Sequence, residues 1–230
     1  MASISAATQL GSTDHATTRA PGELRLVVLT RLAPMLRHDL SNVMTVLKLE
    51  LSGARARARR DGLDAARIGA LVESLGEGLA RLAEAQHRLV AWLDDSPATA
   101  PVGPTLAEIA GLLHGPCALR GRSLAVAAHA LERNAAADRR ALRMLVAAAL
   151  LAIVDGGWPG GAIELDADSD ADRLAIVIRR SGTPGERPLS VPATPSDLRL
   201  TLDDVGALAR DLGWSLTAGG DELRLVGPRG

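Results

Sequence analysis

Residues 24–51 read LRLVVLTRLAPMLRHDLSNVMTVLKLEL, and the spacing of their apolar side chains decides the architecture. Leu29, Ala33, Leu36, Leu40, Val43 and Leu47 recur in alternating steps of four and three, the pattern of a helix laid along a helical partner. A second run, Ile68, Val72, Leu75, Leu79, Leu82, Leu89 and Leu93, follows the same rule, with Gln86 breaking the stripe. Between them GARARARRDGLD, residues 53–64, holds Gly53, Gly62 and a run of arginines, which predicts a polar turn joining antiparallel helices. A lone two-helix hairpin buries too little surface to be stable. A homodimer that closes a four-helix bundle is therefore expected.

Outward from the hairpin, residues 1–22 (MASISAATQLGSTDHATTRAPG) are small and polar, with neither the basic start nor the apolar stretch of a signal peptide. A disordered tail is expected there. After the second helix, DDSPATAPVGP (94–104) is dense in proline and small residues, and a linker over 96–104 follows. Thr105 is expected to cap a helix, with Glu108 at the third position and Ile109, Leu112 and Leu113 beyond. From there the types alternate: strand 123–128, helix 137–154, strands 162–167 and 173–179, helix 202–212, strands 214–218 and 222–226. This predicts an α/β sandwich ending in a Gly-Gly-Asp hairpin. The longest apolar stretch, Leu142 to Val154, contains Arg143 and is too short to span a bilayer, so it reads as a buried core helix and no membrane partner is expected.

The chain has 230 residues, 47% of them hydrophobic, enough for two modest domains. A formal net charge of -1 argues against nucleic-acid binding, since neutralising phosphates needs a basic excess. With Cys117 as the single cysteine there is no internal disulfide and no thiolate metal cluster, and a cytoplasmic location is expected. Phe and Tyr are absent, which leaves packing to Leu, Val and Ala.

His38 lies within Arg37-His38-Asp39-Leu40-Ser41-Asn42-Val43-Met44-Thr45. At about 100° per residue it points away from the seam of Leu36, Leu40, Val43 and Leu47, towards solvent, and Asn42 shares its face one turn later. Imidazole titrates near neutrality and, when exposed, keeps a nitrogen free to attack phosphorus. Asp39, on the flank, is a candidate for orienting the ring or holding its proton. The Asn42 amide is a candidate for bonding a phosphoryl oxygen or a water.

This segment resembles the H-box of the histidine kinases, in which the phosphoacceptor histidine is followed by an acidic residue and then an amide or hydroxyl at the fourth position. His38, Asp39 and Asn42 match those places, and Thr45 fits the common continuation. The family often has proline after the asparagine, where this chain has Val43; Pro34 is instead available to bend the helix above the histidine. The resemblance extends over residues 23–230. It implies an α+β chain, with a phosphotransfer and dimerisation hairpin over 23–95 and a degenerate GHKL-type ATPase-like domain over 105–230.

In that family a helix supplies asparagines that hold Mg²⁺ and phosphates. Their places fall at Ala147 and Leu151, and neither offers the oxygen that a hard cation needs. The family's aspartate for the adenine amino group is replaced in Arg179-Arg180-Ser181-Gly182-Thr183-Pro184-Gly185, and arginine accepts no hydrogen bond. The glycine-rich lid is reduced to residues 186–197. No ATP binding and no autophosphorylation are expected.

A histidine hairpin joined to such a domain resembles the dimeric histidine phosphotransferases, which shuttle phosphoryl groups between aspartates of response-regulator receiver domains. The resemblance implies His38, Asp39 and Asn42 as catalytic residues and Ser41, Thr45 and Leu49 as partner-binding residues. It implies no cofactor or metal on this chain, with Mg²⁺ carried by the receiver. A receiver phosphatase that uses Asn42 to position water, and a non-catalytic receiver-binding scaffold, remain open. An active kinase is the reading least favoured.

Overall fold

The computed structural model describes residues 19–61, 64–94, 96, 98–132, 135–157, 161–170, 172–182 and 193–230. The tail expected over 1–22 lies mostly outside these residues, as do parts of the linker and most of the shortened lid. Two long helices come first, α1 (Pro21–Asp61) and α2 (Ala65–Leu93). The arginine run expected to be a turn is helical almost to its end. Alternating Ala and Arg are strong helix formers, and Arg59 and Arg60 sit where the helix dipole favours cations. Asp64 then caps α2, its side chain accepting from the Arg67 backbone at 2.8 Å.

With 41 residues against 29, α1 overhangs α2 by about a dozen residues, or about 18 Å. That surplus lies at the N-terminal end, where only the second half of the chain is available to pack against. The expected seam is corrected accordingly: Ala33 is exposed and Leu29 half-buried, while Leu24, Val28, Leu32 and Leu36 join the main core. On α2, Ile68, Val72, Leu79 and Leu93 are exposed in the protomer. The side turned to α1 is instead Leu71, Leu75, Gly78, Leu82, Ala85, Leu89 and Trp92, the same four-three rhythm rotated by part of a turn. Leu47 of α1 occupies the gap left by the missing side chain of Gly78.

The rest is a mixed sheet covered on one face by helices. Strand β1 (Thr99–Pro101) and β3 (Ala136–Asp138) form a small antiparallel ladder. Helix α3 (Val102–Leu119) separates β1 from β2 (Arg122–Val126), and α4 (Ala128–Glu132) leads to β3. Then follow α5 (Arg139–Ala152), β4 (Gly161–Ser169), β5 (Arg173–Ser181), α6 (Leu202–Asp211), β6 (Ser215–Gly219) and β7 (Glu222–Pro228). The five-stranded sheet has the order β2-β4-β5-β7-β6, with β2 parallel to β4 and the other pairs antiparallel. Its inward residues Ile163, Leu165, Ala167, Leu174, Ile176, Ile178, Leu223 and Leu225 meet α5, in which every residue from Ala141 to Ala152 is buried. A helix with so long an apolar run belongs in a core, and this one, with Arg143 as its one buried charge, is the centre of it. No helix among the described residues is long and apolar enough to cross a membrane.

Local chemistry explains the details. Helix α3 is capped at Pro101, four residues earlier than expected, and Thr105 sits inside it, donating to the Pro101 carbonyl at 2.7 Å. Pro104 falls in the first turn, where a missing N–H costs nothing. Thr201 and Asp204 form a full capping box on α6. Gly220, at φ 54°, turns the chain between β6 and β7, as the Gly-Gly-Asp signal implies. At the start of α3, a Cβ on Gly103 would lie 2.7 Å from the Ala130 carbonyl oxygen and 2.8 Å from the Leu131 backbone. Because backbone cannot yield as a side chain can, Gly103→Ala is expected to destabilise the fold by about 1–3 kcal/mol in urea denaturation, and an unchanged midpoint would refute this packing.

Candidate functional site

His38 is exposed on α1 on the side opposite Leu36, Leu40 and Val43, as its rotation requires. Its Nδ1 lies 3.2 Å from Nδ2 of Asn42, one helical turn on. Asp39 points a further third of a turn round the helix. It lines a cleft at the base of the hairpin with Leu36, Arg88, Trp92, Pro104 and Glu108. Asn42 borders a second groove higher up, between the two helices, with Val46, Leu47, Glu50, Gly78 and Arg81. Ser41 and Thr45 are exposed, and the Thr45 hydroxyl donates to the Ser41 carbonyl at 2.8 Å. Leu49 is 68% exposed, two turns beyond Asn42 towards the C-terminal end of α1 on the same flank as His38, with Val46 beside it. His38, Asn42, Ser41, Thr45 and Leu49 thus share one solvent-facing surface, while Asp39 opens towards the cleft.

Two polar knots hold this surface over the sheet domain. In the first, Arg143 of α5 donates to Glu108 Oε2 at 2.7 Å and to the Ala91 carbonyl at 2.8 Å, and its guanidinium lies 5.4 Å from the Trp92 ring centre. The Trp92 indole donates to Glu108 Oε1 at 3.0 Å, so one carboxylate ties α2, α3 and α5 together. The Asp94 carboxyl just after α2 is held below its ordinary range by Ser96 and Arg139. In the second knot, Asp155 follows α5 and its side chain is 1% exposed. It accepts from Arg31 of α1, from the Thr194 hydroxyl at 2.8 Å and from the Leu200 backbone at 2.9 Å. Arg31 precedes His38 by one heptad, so both stand on one face of α1.

Sequence reasoning missed Arg31, Trp92 and Asp155, and it read Glu108 as part of a helix cap, whereas its carboxylate bonds Trp92 and Arg143. A cation in the stripe below His38 and an acid closing an apolar helix were the signals available. Neither signal names its partner.

In the sheet domain, Ala147 and Leu151 are wholly buried in the apolar core. Arg179 donates to Asp166 at 2.7 Å and to Glu222 at 3.2 Å, while Arg180 pairs with Asp221. Asp166 also meets His129 Nε2 at 2.5 Å. These charges form a paired network on the outer face and rim of the sheet. Cys117 is buried, which pushes its thiol up to about 11.

No protein-family model matches the chain, and no curated protein matches it. Solved structures do. The Acinetobacter baumannii histidine kinase AdeS is 13% identical with a TM-score of 0.40, the match covering 84% of this chain and 96% of that one. A histidine kinase from Burkholderia phymatum STM815 is 19% identical, with a TM-score of 0.40, 89% of this chain and 97% of that one covered. Full-length ShkA in complex with AMPPNP is 16% identical with a TM-score of 0.42, and the match covers 92% of this chain and 46% of that one. The fold is a long helical hairpin followed by a mixed α/β sheet domain, and the solved structures it resembles are histidine kinases.

Proposed function

We propose that this protein is a histidine phosphotransferase that relays phosphoryl groups between receiver-domain aspartates through His38, without binding ATP. The observation that carries the reading is the imidazole itself, solvent-facing on a helix whose other side is packed, with an amide on one ring nitrogen. Such a group takes phosphate from a partner without burying charge. The receiver supplies the aspartyl phosphate, the Mg²⁺ and the positive charge, and the hairpin supplies an in-line nucleophile. Exposed Val46 and Leu49, with Ser41 and Thr45, give that partner an apolar patch with a polar rim. The closed core around Ala147 and Leu151, and the engagement of Arg179 by two carboxylates, support the absence of nucleotide chemistry. The test is incubation with a phosphorylated receiver. Transient acid-labile label on His38 is expected; loss of receiver label without it would indicate a phosphatase, and no change would indicate a scaffold. Incorporation of γ-phosphate from labelled ATP would overturn the ATP-independent reading.

The same proposal includes a homodimer. Leu26, Ala33, Leu40, Met44 and Leu51 lie together about a fifth of a turn from the α1 seam. On α2, Ile68, Val72, Leu79, Val90 and Leu93 lie a similar rotation from its own seam and, because the helices are antiparallel, on the same side of the hairpin. Val72 and Leu79 are 64% and 60% exposed, an apolar run that a second copy would cover. A Val72→Asp, Leu79→Asp double variant is expected to sediment as a folded monomer at micromolar concentration, with wild type a dimer. A dimer in both would place the interface elsewhere.

A further inference from the structure

We propose that residues 21–36, about the first four turns of α1, belong mechanically to the sheet domain, as a strap that locks hairpin and sheet domain into one rigid body and keeps His38 open to a partner at all times. The lock itself is independent of the phosphotransfer reading; what it does for His38 rests on that reading. Leu24, Val28 and Leu32 form a stripe along the strap and are at most 1% exposed within the main core. At about 100° per residue, Arg25 and Arg31 stand on opposite flanks of that stripe. Arg25 meets Asp211 at the end of α6 at 2.5 Å, and Arg31 meets Asp155, the buried carboxylate that also accepts from Thr194 and Leu200. Just before the helix, Arg19 donates to the Arg199 carbonyl at 2.8 Å and the Ser196 carbonyl at 3.2 Å, with Asp204 at 3.9 Å. The strap is thus gripped by an apolar seam with ion pairs on both sides.

A hinge needs a single flexible crossing, whereas here two helices are tied down separately. The end of α2 is held by the knot of Trp92, Glu108 and Arg143, and Arg143 and Asp155 lie towards opposite ends of α5 and its last turn, roughly 17 Å apart at helical rise. Two ties so far apart resist a swing that one alone would permit. The connection after α2 is itself built into the sheet domain: Asp94 pairs with Arg139 at 3.0 Å, the Ala98 carbonyl accepts from the Arg139 backbone at 2.8 Å, and Thr99–Pro101 pairs with β3. Separation is costly as well, because lifting the strap would leave the Asp155 carboxylate buried without its cation.

The experiment measures the distance between nitroxide labels on Glu73→Cys in α2 and Thr217→Cys in β6, both exposed positions, by pulsed electron spin resonance on the full chain. Buried Cys117 is left in place, and excess unlabelled chain keeps one labelled copy per dimer. The otherwise native chain is expected to give one narrow distance. Arg25→Gln with Arg31→Gln is expected to broaden the distribution about twofold or more. Should that variant fail to fold, three glycines inserted after Arg37 carry the test: every strap contact stays, the rod between strap and His38 is interrupted, and the same broadening is expected with an unchanged melting temperature of the sheet domain. A broad or multiple distance in the otherwise native chain would overturn the proposal, and so would a narrow one that survives the glycine insertion, since α2 alone would then be the lock. A narrow native distance in a chain that takes no phosphate from a phosphorylated receiver would leave the lock standing and remove the phosphotransfer reading instead.

Discussion

His38→Ala is expected to lower phosphoryl transfer from a phosphorylated receiver by at least about 10³-fold, because it removes the nucleophile and nothing beside it replaces a ring nitrogen. The neighbours Asp39, Ser41 and Asn42 are oxygen and amide groups, weaker nucleophiles towards an acyl phosphate at neutral pH. The side chain is exposed, so its removal leaves no cavity, and the melting temperature and dimer should be unchanged. His38→Gln, which keeps length and polarity, should be equally inactive. A variant that still passed phosphate between two receivers would disprove the assignment of the nucleophile, and an unfolded one would mean that the histidine is structural.

Placing amides in the core helix gives the second large effect. Leu151→Asn loses the burial of a fully covered leucine, about 2–3 kcal/mol, and strands an amide in an apolar setting at a further cost of about 1–3 kcal/mol. The expected loss of about 3–6 kcal/mol is a large part of the whole stability of a domain this size. Together with Ala147→Asn, it should unfold the sheet domain rather than create nucleotide binding. Urea denaturation followed by tryptophan fluorescence measures this, since Trp214 lies against Gly227 in the same core. Unaltered stability accompanied by Mg-ATP binding would show that the packing around α5 had been misjudged.

Much of the architecture was legible because side-chain period carries it. The strands β4 to β7 and the helices α5 and α6 fall within a few residues of their expected places, and the apolar run of α5, broken only by Arg143, marked it as core. The hairpin was legible as two helices but not as to which face meets which neighbour. On α2 two stripes share Leu75, Leu82 and Leu89, and periodicity alone does not say which one turns to α1. Residues 54–60 were read by their charge, whereas Ala-Arg alternation is good helix sequence. The ladder of β1 and β3 is three residues long on each side, too short for any pattern. At the site, rotation alone placed His38 outward and Asn42 beside it. The Arg31 and Asp155 pairing joins residues far apart in the chain, and no local rule reaches that distance.

That pairing turns α1 into a ruler. Arg31 is pinned at one mark by a carboxylate with almost no exposure, and His38 stands seven residues along, about 10.5 Å further on the same side of a continuous rod. The sheet domain is therefore tied to α1 at a set distance along the helix from the imidazole. On the proposed function, a receiver domain would have to fit both the exposed face of α1 and the sheet domain beneath it.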